Sequence, residues 1–183
     1  MKNKQNFKSK IFLTGFMGSG KTSLGMLLSK KMKLQFVDLD KVIEKDTDKK
    51  ISTLFLLYKE KGFRKIETET LKKICAVKKP LIIATGGGIV TRKVNIKLMK
   101  KNGIIVFLKV SPETVLKRLK NAVDRPLLYN LSYREKLKRI KKLLKKREKF
   151  YSQNHIEVNN DKDLKKTANE IKKKVLDFFK LQS

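Results

Sequence analysis

Residues 15–22 read Gly15-Phe16-Met17-Gly18-Ser19-Gly20-Lys21-Thr22, which is G-x-x-x-x-G-K-[ST] without a mismatch. Ahead of it lies Lys10-Ile11-Phe12-Leu13-Thr14, a short apolar run suited to a buried strand. Behind it lies Ser23-Leu24-Gly25-Met26-Leu27-Leu28, suited to an opening helix. Strand, glycine loop and helix together form the context in which this pattern binds phosphate. Glycine lets the backbone turn with positive φ and brings N–H groups close to an anion. The helix that follows aims its N-terminal dipole at the same point. Lys21 is placed to reach β- and γ-phosphates as a compact charge, and Thr22 to offer its hydroxyl to Mg²⁺. The loop alone does not say whether the phosphoryl acceptor is water or a substrate.

Outward from the loop, apolar runs alternate with helical patterns. The expected strands are Lys10–Thr14, Gln35–Val37, Leu81–Ala84, Ile104–Val110 and Ile156–Val158. This alternation implies an α/β fold with a parallel sheet. Ser111-Pro112-Glu113 reads as a helix start, with Ser111 as N-cap. Leu164, Ala168, Ile171, Val175 and Phe178 recur every three or four residues and mark a C-terminal helix that packs on the core. A second glycine cluster, Gly86-Gly87-Gly88, follows the apolar run Leu81-Ile82-Ile83-Ala84-Thr85. Ligands of open parallel sheets bind beyond the carboxyl ends of strands, and both glycine clusters fall at such ends.

Composition narrows the class. A chain of 183 residues with 40% hydrophobic residues suffices for one domain with its own core. It holds no apolar run long enough to span a bilayer, and Met1 to Lys10 lack the apolar stretch of a secretory signal. A cytoplasmic protein with no membrane partner is expected. The single cysteine, Cys75, excludes an intrachain disulfide and a thiolate metal cluster. The formal charge of +30 is spread along the chain without interleaved aromatic and arginine residues. Solvated lysine faces are therefore expected rather than a specific nucleic-acid partner.

Carboxylates and arginines supply the second half of a site. Gln35-Phe36-Val37-Asp38-Leu39-Asp40 is the apolar run that ends in acid. If the strand continues, Asp38 and Asp40 share a face, one available to a metal and the other to a substrate hydroxyl. The alternative is two aspartates that cap the helix after them. Arginine occurs seven times among 47 basic residues, so each arginine suggests a need for its planar fork. Arg64 stands three residues before Glu67, which allows either carboxylate recognition or a plain helix-surface ion pair. Arg125, beside Pro126 in a polar break, suits a lid that brings charge to the phosphates. Arg147 by itself reads as one more charge on a basic helix.

In order, the motifs are G-F-M-G-S-G-K-T, D-L-D, F-R-x-x-E, G-G-G, R-P-L-L and R-x-x-x-Y. Together they resemble shikimate kinase from about Lys10 to Val158. The resemblance implies a three-layer sandwich, like that of nucleoside monophosphate kinases, with a five-stranded parallel sheet flanked by helices. It implies one kinase domain over 1–183, with a substrate-binding helical segment at about 40–70 and a lid at about 120–137. It implies transfer of the γ-phosphate of ATP to the 3-hydroxyl of shikimate, with Mg²⁺ as cofactor, by a monomer. Gly18, Ser19, Gly20, Lys21, Thr22 and Ser23 would bind ATP, with Arg118 beside the adenine and Arg125 on the transferring phosphoryl group. Asp40 would hold the shikimate hydroxyls and act as base, and Asp38 would hold Mg²⁺ with Thr22. Arg64, Arg147 and Gly87 would hold the shikimate carboxylate side. The chain departs from the family pattern at Asp48 and Lys59, where glycine is frequent, at His155, where a small residue is usual, and at Asn160, where threonine is common. Gluconate kinase, which shares the phosphate loop, is the rival with no need of Arg64, Glu67, Gly86–Gly88 and Arg147 together.

Overall fold

The computed structural model describes residues 9–119, 128, 131–161 and 163–181. Its central strand, β1 (Lys10–Gly15), is buried along its whole length. Ile11 and Leu13 enter the core on one face of the sheet and Phe12 enters it on the other. Such two-sided burial is why the parallel strands read as unbroken apolar runs. α1 (Lys21–Met32) leads to β2 (Gln35–Asp38), α2 (Leu39–Thr47) and α3 (Ile51–Ala76). β3 (Leu81–Ala84), a 3₁₀ turn (Ile89–Thr91), α4 (Lys93–Asn102) and β4 (Gly103–Lys109) follow. The chain closes with α5 (Pro112–Arg118), α6 (Tyr133–Tyr151), β5 (Ile156–Asn159) and α7 (Leu164–Lys180).

The five strands lie in the order β2-β3-β1-β4-β5, and every pairing is parallel. α1 and α7 cover one face through Leu24, Leu28, Ala168, Ile171 and Val175. α2, α3 and α4 cover the other around Ile43, Leu71 and Met99. A smaller cluster joins Phe16 to Val115 of α5 and Ile140 of α6. This is the expected three-layer α/β sandwich. Ser111 caps α5 by accepting from the Thr114 N–H, with Pro112 in the first turn. Ser132 and Glu135 form a reciprocal capping box at the start of α6. Among the described residues no helix is long and apolar enough to cross a membrane.

One expectation changes in detail. β2 stops at Asp38, so Asp40 lies in the first turn of α2 rather than further along a strand face. Asp48 and Lys59 take φ of 49° and 54°, a region that favours glycine. At Lys59 the kink divides α3 into two helical pieces. His155 has a structural role. Its Nδ1 accepts the Ile105 N–H at 2.9 Å, and its backbone N–H donates to the Ile105 carbonyl at 3.0 Å. Burial and the nearby Lys100 lower its pKa, which favours the neutral ring that this acceptor role requires.

Gly25, in the middle of α1, is costlier in a helix than alanine by about 1 kcal/mol. Its place is explained by β2, since a Cβ at Gly25 would overlap the Phe36 ring. Gly25→Ala should therefore lower stability by about 1–3 kcal/mol, the cost of overpacking. Urea unfolding of the two proteins checks this, and a gain in stability would contradict it.

Candidate active site

The carboxyl ends of the strands gather at one edge of the sheet, where an open parallel sheet binds ligands. After β1, Gly18 and Gly20 take left-handed φ of 73° and 86°, and Gly20 is the N-cap of α1. The Lys21 ammonium donates to the carbonyls of Gly15 and Phe16 at 2.9 and 2.8 Å. Thr22 Oγ1 donates to Asp38 Oδ2 at 2.7 Å. A cavity of about 430 Å³ opens here, and Gly18, Lys21, Thr22, Asp38, Asp40 and Gly87 are among its lining residues. Ser23 and Arg118 line it too, but Ser19 does not. The Ser19 side chain is fully buried and accepts from Lys21 at 3.3 Å, so it serves the loop from inside.

Asp38 has two roles at once. Its Oδ1 accepts the Asp40 N–H at 3.1 Å and caps α2, while its Oδ2 faces Thr22. The capping alternative and the metal alternative thus concern different oxygens of one carboxylate. Hydroxyl and carboxylate oxygens are the hard donors that Mg²⁺ prefers, and Mg²⁺ at phosphates needs few protein ligands. Thr22 and Asp38 therefore fit the ion.

Across the cavity lies a denser constellation. Arg64 Nη1 donates to Glu67 Oε2 at 2.9 Å, and its Nη2 donates to Glu60 at 3.2 Å. Glu67 is fully buried and Arg64 is 9% exposed, so a helix-surface ion pair is excluded. None of Gly86, Gly87 and Gly88 has a left-handed φ. They are glycines because of what approaches them. A Cβ on Gly86 would overlap Glu67 Oε1, and one on Gly88 would overlap the Arg64 guanidinium. One on Gly87 would lie 3.0 Å from the Met17 nitrogen in the phosphate loop. The Gly87 carbonyl accepts from Arg147 Nη1 at 3.2 Å and from the Tyr151 hydroxyl at 2.7 Å. Arg147 is buried over the Phe16 ring, 5.5 Å from its centroid.

Burial dominates the electrostatics. It pushes the Glu67 carboxyl up from the ordinary 4.5 to about 7, opposed by Arg64 and assisted by the negative Asp40. Burial pulls the Arg64 guanidinium down, but Glu67 and Glu60 outweigh it and the net shift is upward. The Tyr151 phenol, raised to about 12 by burial against the pull of Arg147, stays a neutral donor to Gly87. The arrangement sets a phosphate cradle and Asp40 in one cavity, with two cationic planar forks, Arg64 and Arg147, gathered around Glu67 beside it. Such a site can hold a nucleotide at one end and a small acid bearing a hydroxyl at the other.

The shikimate kinase family profile matches residues 17–178. The chain is 41% identical over 166 residues to the shikimate kinase of a Sulfurihydrogenibium species, covering 91% of this chain and 95% of that one. It is 48% identical over 141 residues to the shikimate kinase of Thermodesulfovibrio yellowstonii, covering 77% and 79%. The structure of shikimate kinase from Acinetobacter baumannii in complex with shikimate superposes with a TM-score of 0.87 at 32% identity, covering 94% and 95%. The chain belongs to the shikimate kinase family.

Within this family member, Gly18, Gly20, Lys21, Thr22, Ser23, Asp38, Asp40, Gly87 and Arg118 come together around one cavity. Arg64 and Arg147 meet around Glu67 and are not among the residues that line it. Arg125 and most of the expected lid at 120–137 lie outside the described residues. Sequence reasoning missed Arg92, whose Nη1 donates to the Arg64 carbonyl at 3.0 Å and to Thr68 Oγ1 at 2.7 Å. The scarcity of arginine was the signal that could have found it. Tyr151, the last residue of the R-x-x-x-Y motif, joins the site through the Gly87 carbonyl, and Asn160, which stands where threonine is common near the adenine, lines the cavity.

The folded pKa of Glu67 lies above its unfolded value, so folding takes up a proton between the two. This contribution to stability is full below about 4.5 and is lost as pH rises through about 7. Between about pH 5 and about pH 8 the wild type should lose more stability than Glu67→Gln, whose amide does not titrate. Parallel pH profiles of the urea midpoint would show the carboxyl titrating elsewhere.

Proposed function

We propose that the chain transfers the γ-phosphoryl group of ATP to the 3-hydroxyl of shikimate, giving ADP and shikimate 3-phosphate. The observation that carries this reading is the position of Asp40. It lines one cavity with Lys21 and Thr22, and it stands close enough to Glu67, the partner of Arg64, to raise its pKa. A base between a phosphate cradle and a carboxylate clamp suits a hydroxy acid as acceptor.

Phosphoryl transfer rests on positioning and charge neutralisation rather than covalent chemistry. The backbone N–H groups of Gly18, Ser19 and Gly20, with Lys21, Thr22 and Ser23, hold the phosphates, and Arg118 flanks the adenine. Arg64 and Arg147 bind the shikimate carboxylate, with Gly87 against the ring. Asp40 accepts hydrogen bonds from the shikimate hydroxyls and takes the proton of the 3-hydroxyl as that oxygen bonds to the γ-phosphorus. The bond from the γ-phosphorus to the bridging oxygen breaks, and ADP leaves with the electron pair. Arg125 is assigned to the charge on the transferring group. Bound at Thr22 and Asp38, Mg²⁺ would neutralise the β- and γ-phosphoryl oxygens. The protein acts as a cytoplasmic monomer on small molecules, in the shikimate-to-chorismate route to aromatic amino acids.

ADP release from ATP should depend on shikimate and stay at background with gluconate or no acceptor. Turnover with gluconate but not shikimate would overturn the assignment. Asp40→Asn should lower kcat by about 100-fold or more, the scale of a lost general base, with ADP affinity unchanged. Steady-state kinetics alongside ADP titration separate the two effects, and a near-normal kcat would remove Asp40 from that role.

A further inference from the structure

The loop after β5 reaches the phosphate loop through Asn160, which lines the same cavity as Lys21. Asn160 follows the last residue of β5, is fully buried, and is anchored by its own N–H to the Lys109 carbonyl at 2.8 Å. Its side-chain Nδ2 donates to the Ser19 carbonyl at 2.7 Å. Its carbonyl accepts from Arg118 Nη2 at 2.7 Å, and Arg118 Nη1 reaches the Gly18 carbonyl at 3.4 Å. Asn160 Oδ1 has no partner, so the Nδ2 donation alone orients the amide.

We propose that Asn160 is a positioning residue for the phosphoryl donor, which acts by holding the Ser19–Gly20 peptide in one orientation. In a trans peptide the carbonyl and the next N–H point in opposite directions, and no peptide among the described residues is cis. Tying the Ser19 oxygen to Asn160 therefore turns the Gly20 N–H away from Asn160. The constraint matters because Gly20, at φ 86°, accepts either sign of φ at little cost. Its peptide is free to flip unless something holds it. A Cβ on Gly20 would lie 2.8 Å from Asn160 Nδ2, so the amide also fills the place where a side chain would stand. Lys21 holds the carbonyls of Gly15 and Phe16, and Asn160 holds that of Ser19, three residues further along, so the loop is held at both of its ends.

The inference rests on the nucleotide half of the proposed function. Titrating ADP with Mg²⁺ tests it without an acceptor, so its failure is separable from that of the shikimate assignment. Asn160→Asp keeps the shape and sets an acceptor against the Ser19 carbonyl, whereas Asn160→Thr supplies a hydroxyl donor. The expected result is a Kd for ADP raised about five- to tenfold in Asn160→Asp, the scale of one lost hydrogen bond. A smaller rise is expected in Asn160→Thr, with KM for shikimate unchanged in both. Wild-type ADP affinity in Asn160→Asp overturns the proposal. So does an equal loss of ADP and shikimate binding in both variants with a lowered Tm, because that pattern belongs to a general structural role.

Discussion

The parallel pairing of β1 with β3 on one side and β4 on the other is the constraint on which the site depends. The register sets Leu13 beside Ala84 and Gly15 beside Leu108. Thr85 continues the first pairing, with its N–H and its hydroxyl both donating to the Leu13 carbonyl. Both glycine clusters are therefore delivered to the same level at the edge of the sheet. Buried strands cannot slip, because a shift of one residue would move Phe12 into the face that now takes Ile11 and Leu13. The distance between phosphate loop and triple glycine is thus a property of the core.

On that frame the acceptor side accepts an energetic cost. A buried ion pair such as Arg64–Glu67 is weak evidence for stability, since desolvation offsets much of the attraction. Arg64 Nε and Glu67 Oε1 also lack partners. The pair instead fixes direction. Glu67 and Glu60 grip one edge of the guanidinium, Arg92 holds the carbonyl of the same residue, and Gly88 leaves room for the plane to lie flat. A lysine at position 64 would keep the charge and lose the two-pronged grip. The Gly87 carbonyl, shared by Arg147 and Tyr151, ties α6 to the same wall.

Much of this was legible in the chain. Each of the five strands appears within one residue of its expected bounds at either end: β1, β3 and β4 are buried on both faces and read as apolar runs, while the edge strands β2 and β5 are buried only in part. The phosphate loop was legible because its chemistry is contiguous. Asp40 was found, but its placement on a continued strand was wrong. The side chain of Asp38 caps a helix that starts at once, and a capping hydrogen bond leaves no more trace than the aspartate itself. The burial of Arg64 and Glu67 was not legible. Spacing of three residues describes a surface pair and a buried pair equally well.

The sequence by itself determined the phosphate loop, the α/β class and the family, since strand–glycine–helix order and six motifs in series are local, linear facts. Tertiary structure decided why the three glycines at 86–88 are glycines, since the groups that exclude a Cβ come from α3 and the phosphate loop. It also decided the partner of Asn160, which is separated by 141 residues from the carbonyl that it holds. Contacts of that kind depend on which strand ends become neighbours, and strand order is set by packing across both faces of the sheet rather than by any local run of residues.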